Sequence, residues 1–202
     1  MKIIERNIVG KKSQETCEDG IVVTDDFVAV MTASAIIYSR MRKEVWMVGD
    51  CQAIIGGKLY ENNKPYEQEI AEKRVALIKQ GMIPAEARKT IEPLLVQAML
   101  DGQNKSYAVI DGFPIYREGV KAVPCLFSGA NDVDSENSRN EHEIVLASDG
   151  YPFLKTILEE SEAALAKQLA HDPQNIKTFI ATKGLVDGYK SFDDRTYVRF
   201  LI

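Results

Sequence analysis

Three short acidic clusters, each set at the edge of an apolar run, are the residues of this chain best suited to chemistry. They are Glu18-Asp19-Gly20, Ser148-Asp149-Gly150 and Asp193-Asp194. Carboxylates gathered from distant parts of a sequence repel one another, and proteins that bring them together commonly place Mg²⁺ or Mn²⁺ between them, with waters completing the coordination. The clusters therefore predict a metal-assisted hydrolase.

Strand-like runs surround these clusters. Strands are predicted at residues 21–23, 27–31, 34–39, 44–50, 53–60 (a hairpin), 107–110, 115–116, 120–123, 144–147 and 196–202. The run from 27 to 38 contains no Gly, Pro, Asn or Asp and is longer than most single strands. The polar stretch 128–143 predicts an exposed loop.

Three segments have the apolar spacing of helices. They span residues 66–80, which end before Gly81, residues 84–100, where Pro93 is expected to kink or divide the helix, and residues 156–170, with Thr156 as N-cap. Strands grouped before and after helices favour an α+β fold over a parallel βαβ repeat. The length of 202 residues indicates a single domain, 1–202.

Composition excludes several classes of protein. The net charge of -5, with dispersed Lys and Arg, argues against nucleic acid as a partner. Charges within the first six residues leave no signal-peptide core, and no later run approaches a membrane span, so a cytoplasmic protein without membrane contact is expected. The three cysteines, Cys17, Cys51 and Cys125, lack the spacing of a disulfide framework or a zinc site.

The ordered set of motifs resembles the metal-dependent protein phosphatases of the protein phosphatase 2C type, and a bacterial branch of them. Four segments carry the resemblance in the family's order: Glu18-Asp19 ahead of Ile21-Val22-Val23, Val48-Gly49-Asp50, Leu146-Ala147-Ser148-Asp149-Gly150 and Asp193-Asp194-Arg195-Thr196. Each segment alone is an ordinary turn signal, whereas the set covers most of the chain. The resemblance implies a central β-sandwich flanked by helices, with Mn²⁺ or Mg²⁺ in a cleft at one end.

The resemblance also implies roles for individual residues. Asp149 and Asp193 would be direct metal ligands, while Glu18 and Asp19 would hold metal-bound waters. The carboxylates central to catalysis would thus be Asp149, Asp193 and Asp19. Asp194 stands where the family usually has Asn and adds acceptor charge to the metal site. The basic residue that binds phosphate near the start of the family's sequences has no match at its usual spacing, and the candidates within reach are Lys11 and Lys12.

One segment of the family pattern is missing. After the strand matched by residues 27–30 the family carries an Asp-Gly, whose aspartate bridges both metals, and then a pair of helices before the strand matched by 34–39. Here the chain runs directly through Thr32-Ala33. The histidine acid of many family members falls in the same missing piece, and His142 and His171 match nothing catalytic. We therefore expect one bound ion or none, poor or absent turnover, and an uncovered sheet face that favours a homodimer.

Two functions remain open at this stage. The first is a phosphatase that acts on phosphoserine or phosphothreonine proteins or on another phosphomonoester. The second is a catalytically inactive relative that binds a phosphoprotein or another partner without hydrolysis. Gly49 and Asp50 are interpreted as structural, with Gly49 permitting close backbone approach and Asp50 capping a turn, and Asp187-Gly188 as a simple turn.

Overall fold

Two antiparallel sheets of five strands each make up most of the structure. A computed structural model describes residues 1–31, 34–125 and 143–202, with the backbone alone at 29–31. The strand order of the first sheet is β1 (Lys2–Val9), β10 (Arg195–Leu201), β9 (Glu143–Ser148), β6 (Cys51–Ile55) and β7 (Lys58–Asn62). That of the second sheet is β2 (Gly20–Val23), β3 (Phe27–Met31), β4 (Ala35–Ser39), β5 (Glu44–Val48) and β8 (Lys121–Pro124).

The sheets pack face to face, and the hydrophobic core lies between them. Because alternate side chains of a strand point to opposite faces, Tyr38 of β4 meets Phe200 of β10, with ring centres 5.5 Å apart. β9 is buried along its whole length. Its outward residues Val145 and Ala147 are covered by a second apolar cluster, which Leu158 joins from a helix. The carboxyl end of β9 is therefore held rigidly by packing on both faces.

Three helices accompany the sheets among the described residues, which confirms the expected α+β class. α1 (Glu67–Lys79) and α2 (Pro84–Gly102) pack against each other, and α3 (Leu158–His171) contacts β1. All three lie within two residues of their predicted bounds. No helix described for this chain combines the length and the apolar character of a membrane span. The predicted cytoplasmic location stays a prediction.

Two helix details differ from the expectation. α2 continues through Pro93 without division, because proline fixes a helix-compatible φ and removes only one hydrogen bond of a long helix. The residue that precedes α3 is Ile157, with extended backbone, rather than Thr156. The carbonyl of Thr156 instead accepts a hydrogen bond from the Tyr197 hydroxyl, which ties the helix entry to β10.

The predicted strands at 107–110 and 115–116 do not form. Asn104 provides the backbone partners that a neighbouring strand would have supplied. Its side-chain oxygen accepts the N–H groups of Val109 and Tyr116 at 3.2 and 3.1 Å, and its amide donates to the carbonyl of Val109 at 3.1 Å. The segment after α2 is thus a loop wrapped around one asparagine side chain. The predicted loop at 128–143 lies outside the described residues, apart from Glu143, which begins β9.

The long run without turn residues forms an antiparallel hairpin. β3 and β4 pair from Phe27 with Ser39 to Met31 with Ala35. Thr32 and Ala33 lie outside the described residues, as does His142. The expectation that this run contains two strands is confirmed, and the two strands are direct neighbours in the second sheet.

An apolar row crosses the outward face of the second sheet. Cross-strand pairing through Ala29 sets Val22, Ile37, Trp46 and Ala122 in one register line. Val22 and Ala122 are exposed, and Ile37 and Trp46 are half-buried. Exposed apolar area of this kind is typical of interaction surfaces. The expected homodimer through this face stays a prediction.

Candidate functional site

Three aspartates meet at one end of the first sheet because neighbouring antiparallel strands run in opposite directions. Asp149 directly follows β9, Asp193 precedes β10, and Asp50 directly precedes β6. β9 lies between β10 and β6, so its carboxyl end adjoins the amino ends of both neighbours. All three aspartates line a single cleft.

The cleft is lined by both charged and aromatic residues. Phe179 and Phe192 contribute the aromatic lining, with ring centres 5.9 Å apart. The polar lining comes from β6, β7, the start of α1 and the loop before β10, and includes Gln52, Glu61, Lys64, Glu67, Tyr151 and Lys183. Such a mixed, concave site is typical of pockets that bind small molecules.

Lysine ammonium groups are paired with two of the three aspartates. Lys183 forms an ion pair with the Asp193 carboxylate. Lys64 donates to Asp50 at 3.1 Å, and Lys11 lies 4.0 Å from the nearest Asp193 oxygen. For Asp149, by contrast, no described residue donates a hydrogen bond to the carboxylate. Of the three aspartates, Asp149 is therefore the one whose carboxylate has no hydrogen bond or ion pair in the part of the chain that the structure describes.

Burial raises the pKa of two cleft carboxyls, those of Asp149 and Asp50. Burial raises the pKa of Asp149 to about 7, and the charge of Asp193 adds to this effect while Lys183 opposes it. The pKa of Asp50 rises to about 6, chiefly through burial, although Lys64 acts against the increase. Burial alone would lower the pKa of Lys183, but Asp193 and Asp149 outweigh it and raise that pKa. Both effects are those expected of a site that favours added positive charge.

Two further predicted acids hold the connection between β1 and β2 against the cleft. The carboxylate of Asp194 accepts the backbone N–H groups of Lys11 and Glu18 at 2.6 and 3.2 Å. Asp19 accepts a hydrogen bond from the Ser148 hydroxyl at 2.6 Å, and burial raises the pKa of Asp19. Asp194 thus accepts hydrogen bonds from the backbone, and Asp19 accepts one from the hydroxyl of Ser148, the residue that directly precedes Asp149.

The remaining predicted residues lie farther from the acidic pair. Glu18 is exposed, and its described contact with Asp194 is through its backbone. Lys11 reaches toward Asp194 at 3.6 Å, whereas the Lys12 ammonium lies 6.0 Å from the ring centre of Tyr189. The structure therefore brings together Asp149 and Asp193, with Lys11, Asp19 and Asp194 around them, and directs Lys12 elsewhere.

Sequence reasoning missed Lys64 and Lys183 and undervalued Asp50. Neither lysine stands in a recognisable motif, because each is carried into the cleft by the fold of a loop. The structural interpretation of Gly49 is confirmed. Its φ is +72°, and an added Cβ would lie 2.3 Å from the hydroxyl oxygen of Ser34. The same hydroxyl accepts the N–H of Asp50 at 2.9 Å, so Asp50 has a structural role at its backbone and lines the cleft with its side chain.

Asp149 and Asp193 are the cleft residues that could hold a divalent cation. Within the described ranges, no group of three or more acidic, histidine or cysteine side chains is arranged as a metal cage. Mg²⁺ and Mn²⁺ sites commonly use only one or two carboxylates, with waters and substrate oxygens completing the shell. Asp149 and Asp193 could supply that number of ligands, and the pKa of Asp149 is raised chiefly by burial, with a further contribution from the charge of Asp193.

We expect Asp194→Ala to lower the free energy of unfolding by about 2 kcal/mol, because the substitution leaves two backbone N–H groups of the β1–β2 connection without their charged acceptor. Asp194→Asn keeps one acceptor oxygen and should lose about half as much. Urea unfolding at pH 7 measures both changes. An unfolding free energy for Asp194→Ala within about 0.5 kcal/mol of wild type would contradict this positioning role.

The comparisons with known proteins add no assignment. No protein-family model matches the sequence, and no curated protein matches it. The functional inference therefore depends on the motifs and on the geometry of the cleft.

Proposed function

We propose that this protein is a metal-dependent phosphomonoester hydrolase, similar to serine/threonine protein phosphatases of the 2C type and with impaired turnover. The observation that carries the proposal is that Asp149 and Asp193, which are distant in the sequence, line one cleft. Two face-to-face antiparallel sheets with helices around them support the finer 2C-like fold as well. The proposed substrates are phosphoproteins carrying phosphoserine or phosphothreonine, or other phosphomonoesters.

In this proposal Asp149 and Asp193 hold one Mn²⁺ or Mg²⁺ ion. A bound ion of this kind supplies Lewis-acid polarisation of phosphoryl oxygens and a water of lowered pKa. The protein's own groups do the rest. The lysines that line the cleft add positive charge, which favours an anionic phosphoryl group, and the rings of Phe179 and Phe192 limit access of bulk water.

Three features of the surrounding residues support this assignment of roles. Ser148 donates to Asp19 and accepts the backbone N–H of Thr196 at 2.9 Å, which links the strand ends that carry Asp149 and Asp193. Packing on both faces of β9 fixes the position of Asp149. Asp50 and Lys64, which are hydrogen-bonded to each other, line the same cleft. Ligands held on strand ends in this way are positioned more firmly than ligands on free loops.

Impaired turnover follows from the short connection between β3 and β4. The family resemblance implies an additional Asp-Gly there, whose aspartate bridges two metals, and this sequence has Thr32-Ala33 instead. With one bridging carboxylate fewer, a second ion lacks an anionic ligand. We therefore expect hydrolysis with a single bound ion and a low rate.

A second candidate function is a phosphoprotein-binding protein without hydrolytic activity. The ion pairs of Lys183 with Asp193 and of Lys64 with Asp50 favour this alternative, because the cleft already contains internal cations. These cations already neutralise part of the acidic charge, which reduces the need for a metal ion, and a cleft without a metal ion does not activate a water in this way. The two candidates share the ligand class and differ in whether the phosphate ester is cleaved.

We expect purified protein to hydrolyse para-nitrophenyl phosphate with added Mn²⁺ and to lose at least about 90% of that rate with excess chelator. Release of the nitrophenolate is followed by absorbance, and restored Mn²⁺ should restore the rate. Equal rates with Mn²⁺ and with chelator would contradict a metal-dependent enzyme. Absence of turnover in folded protein, together with binding of a phosphoserine peptide, would favour the second candidate.

A further inference from the structure

Lys183 is placed in the cleft by the backbone around it. It lies in the loop between α3 and β10, and its carbonyl accepts the side-chain amide of Asn175 at 3.1 Å. Asn175 is fully buried. The position of the Lys183 backbone is thus tied to the protein interior rather than to the surface.

Arg74 of α1 fixes the same loop at two points that precede Lys183 in the chain. Arg74 is 1% exposed, and its guanidinium donates to the carbonyls of Gln174 and Ala181 at 2.8 and 3.3 Å. A second guanidinium nitrogen donates to the Gln174 side chain at 3.0 Å. The loop has little freedom to withdraw, so the ammonium group of Lys183 is presented to the carboxylates as part of the fold.

The ammonium of Lys183 meets the carboxylate that the proposed function assigns to a metal ion. Its ion-pair partner is Asp193, and the neighbouring charges that act on it also include Asp149. Lys64 is paired with Asp50 instead, and its charge also acts on Asp149. Lys11 lies 4.0 Å from the Asp193 carboxylate, so Lys183 is the lysine in closest contact with a proposed metal ligand among the described residues.

We propose that Lys183 is a built-in counter-ion that competes with a divalent cation for Asp193 and thereby sets the cation affinity of the cleft. A divalent ion must displace the ammonium from the carboxylate before it can bind there. The loop anchored by Arg74 keeps the ammonium nearby after displacement, so the competition operates at a high local concentration. This inference rests on the proposed function, because it takes Asp149 and Asp193 to be the cation ligands.

Substitution of Lys183 should have opposite effects on the stability of the cation-free protein and on its affinity for a cation. Removing the ammonium leaves Asp193 and Asp149 with less compensation, which destabilises the cation-free protein. The same change strengthens the attraction of these carboxylates for an added cation. Lys183→Met should therefore weaken the protein without metal and increase its affinity for metal.

The experiment measures Mn²⁺ binding by the electron paramagnetic resonance signal of the free ion, with no substrate present. We expect Lys183→Met to bind Mn²⁺ at least about tenfold more tightly than wild type. Lys183→Arg keeps the positive charge and should stay within about threefold of wild type. The matched control is Lys64→Met, which removes an equal charge whose ion-pair partner is Asp50 rather than a proposed ligand, and it should raise the affinity by less than Lys183→Met does.

The Mn²⁺ affinities of the Lys183 and Lys64 variants distinguish the counter-ion role from the proposed function. Equal Mn²⁺ affinity in wild type and Lys183→Met overturns the counter-ion role and leaves the proposed function intact. An equal gain in Lys64→Met also overturns it, because the effect would then be general to the charge of the cleft. No binding by wild type or by any variant overturns both proposals. If Lys183→Met does not fold, Lys183→Gln replaces it with the same expected gain, and circular dichroism verifies folding of every variant.

Discussion

Asp149→Asn is expected to reduce Mn²⁺-dependent hydrolysis of para-nitrophenyl phosphate by about a hundredfold or more. Asparagine preserves the shape of the side chain and removes the negative charge that a hard divalent cation requires. The carboxylate of Asp149 receives no hydrogen bond from the described part of the chain, so its charge has no evident structural purpose. Initial rates at saturating Mn²⁺ measure the loss.

The same substitution should increase stability, and the gain should depend on pH. The pKa of Asp149 is raised to about 7 in the folded protein, far above the usual value for an aspartate. Between about pH 4 and pH 7 the folded state therefore keeps a proton that the unfolded state has released. The contribution of the Asp149 carboxyl to the free energy of unfolding therefore falls as pH rises through that range. Asparagine stays neutral, so its advantage over wild type is larger at pH 8, at about 2 to 4 kcal/mol, than at pH 5.

Urea unfolding of wild type and Asp149→Asn at the two pH values measures this difference, with metal chelated. The control is Asp187→Asn, in an exposed turn, which should match wild type in both hydrolysis and stability. Retained Mn²⁺-dependent hydrolysis in Asp149→Asn would contradict the role of Asp149 as a metal ligand. A loss of stability at pH 8 would show that the carboxylate is satisfied in the folded protein.

Arg74→Met is expected to lower the free energy of unfolding by about 3 kcal/mol. The methionine fills much of the arginine's volume but leaves the carbonyls of Gln174 and Ala181 without their donor in a buried site. Because the loop that these bonds fix carries Lys183 and Phe179 into the cleft, the affinity for Mn²⁺ should change together with stability. The buried Arg74 is thus a structural link between α1 and the cleft.

Urea unfolding measures the stability loss, and Lys73→Met is the matched control. Lys73 is the preceding residue of α1, is exposed, and pairs only with Glu69 among the described residues. Its substitution should cost less than about 0.5 kcal/mol, as is usual for exposed pairs within a helix. A similar loss in both variants would indicate a general effect on α1 rather than the anchoring of the loop.

The positions of the helices and of the acidic pair could be predicted from the sequence because local patterns determine them. Helical spacing located α1, α2 and α3, and Asp149 and Asp193 were found because each flanks an apolar strand. β1 was missed because the first residues were considered only as a targeting signal. Lys2–Val9 alternates exposed and half-buried residues for most of its length and is paired with β10.

The lysines of the cleft could not be predicted because their positions depend on contacts between distant segments. Lys183 reaches Asp193 only because Asn175 and Arg74 shape the loop, and neither contact leaves a local pattern. The predicted strands at 107–110 and 115–116 failed for a related reason. Apolar composition favoured β structure there, but the Asn104 side chain satisfied the backbone groups that a partner strand would have used.

The hydroxyl of Ser34 connects the β3–β4 hairpin to the N–H of Asp50. Ser34 directly precedes β4, so any lengthening of the chain between β3 and β4 would start from a point already attached to the wall of the cleft. Added residues could extend over Asp50 while both strands keep their pairing. This junction is therefore a natural place to insert a further carboxylate, which would add an anionic ligand to the proposed metal site.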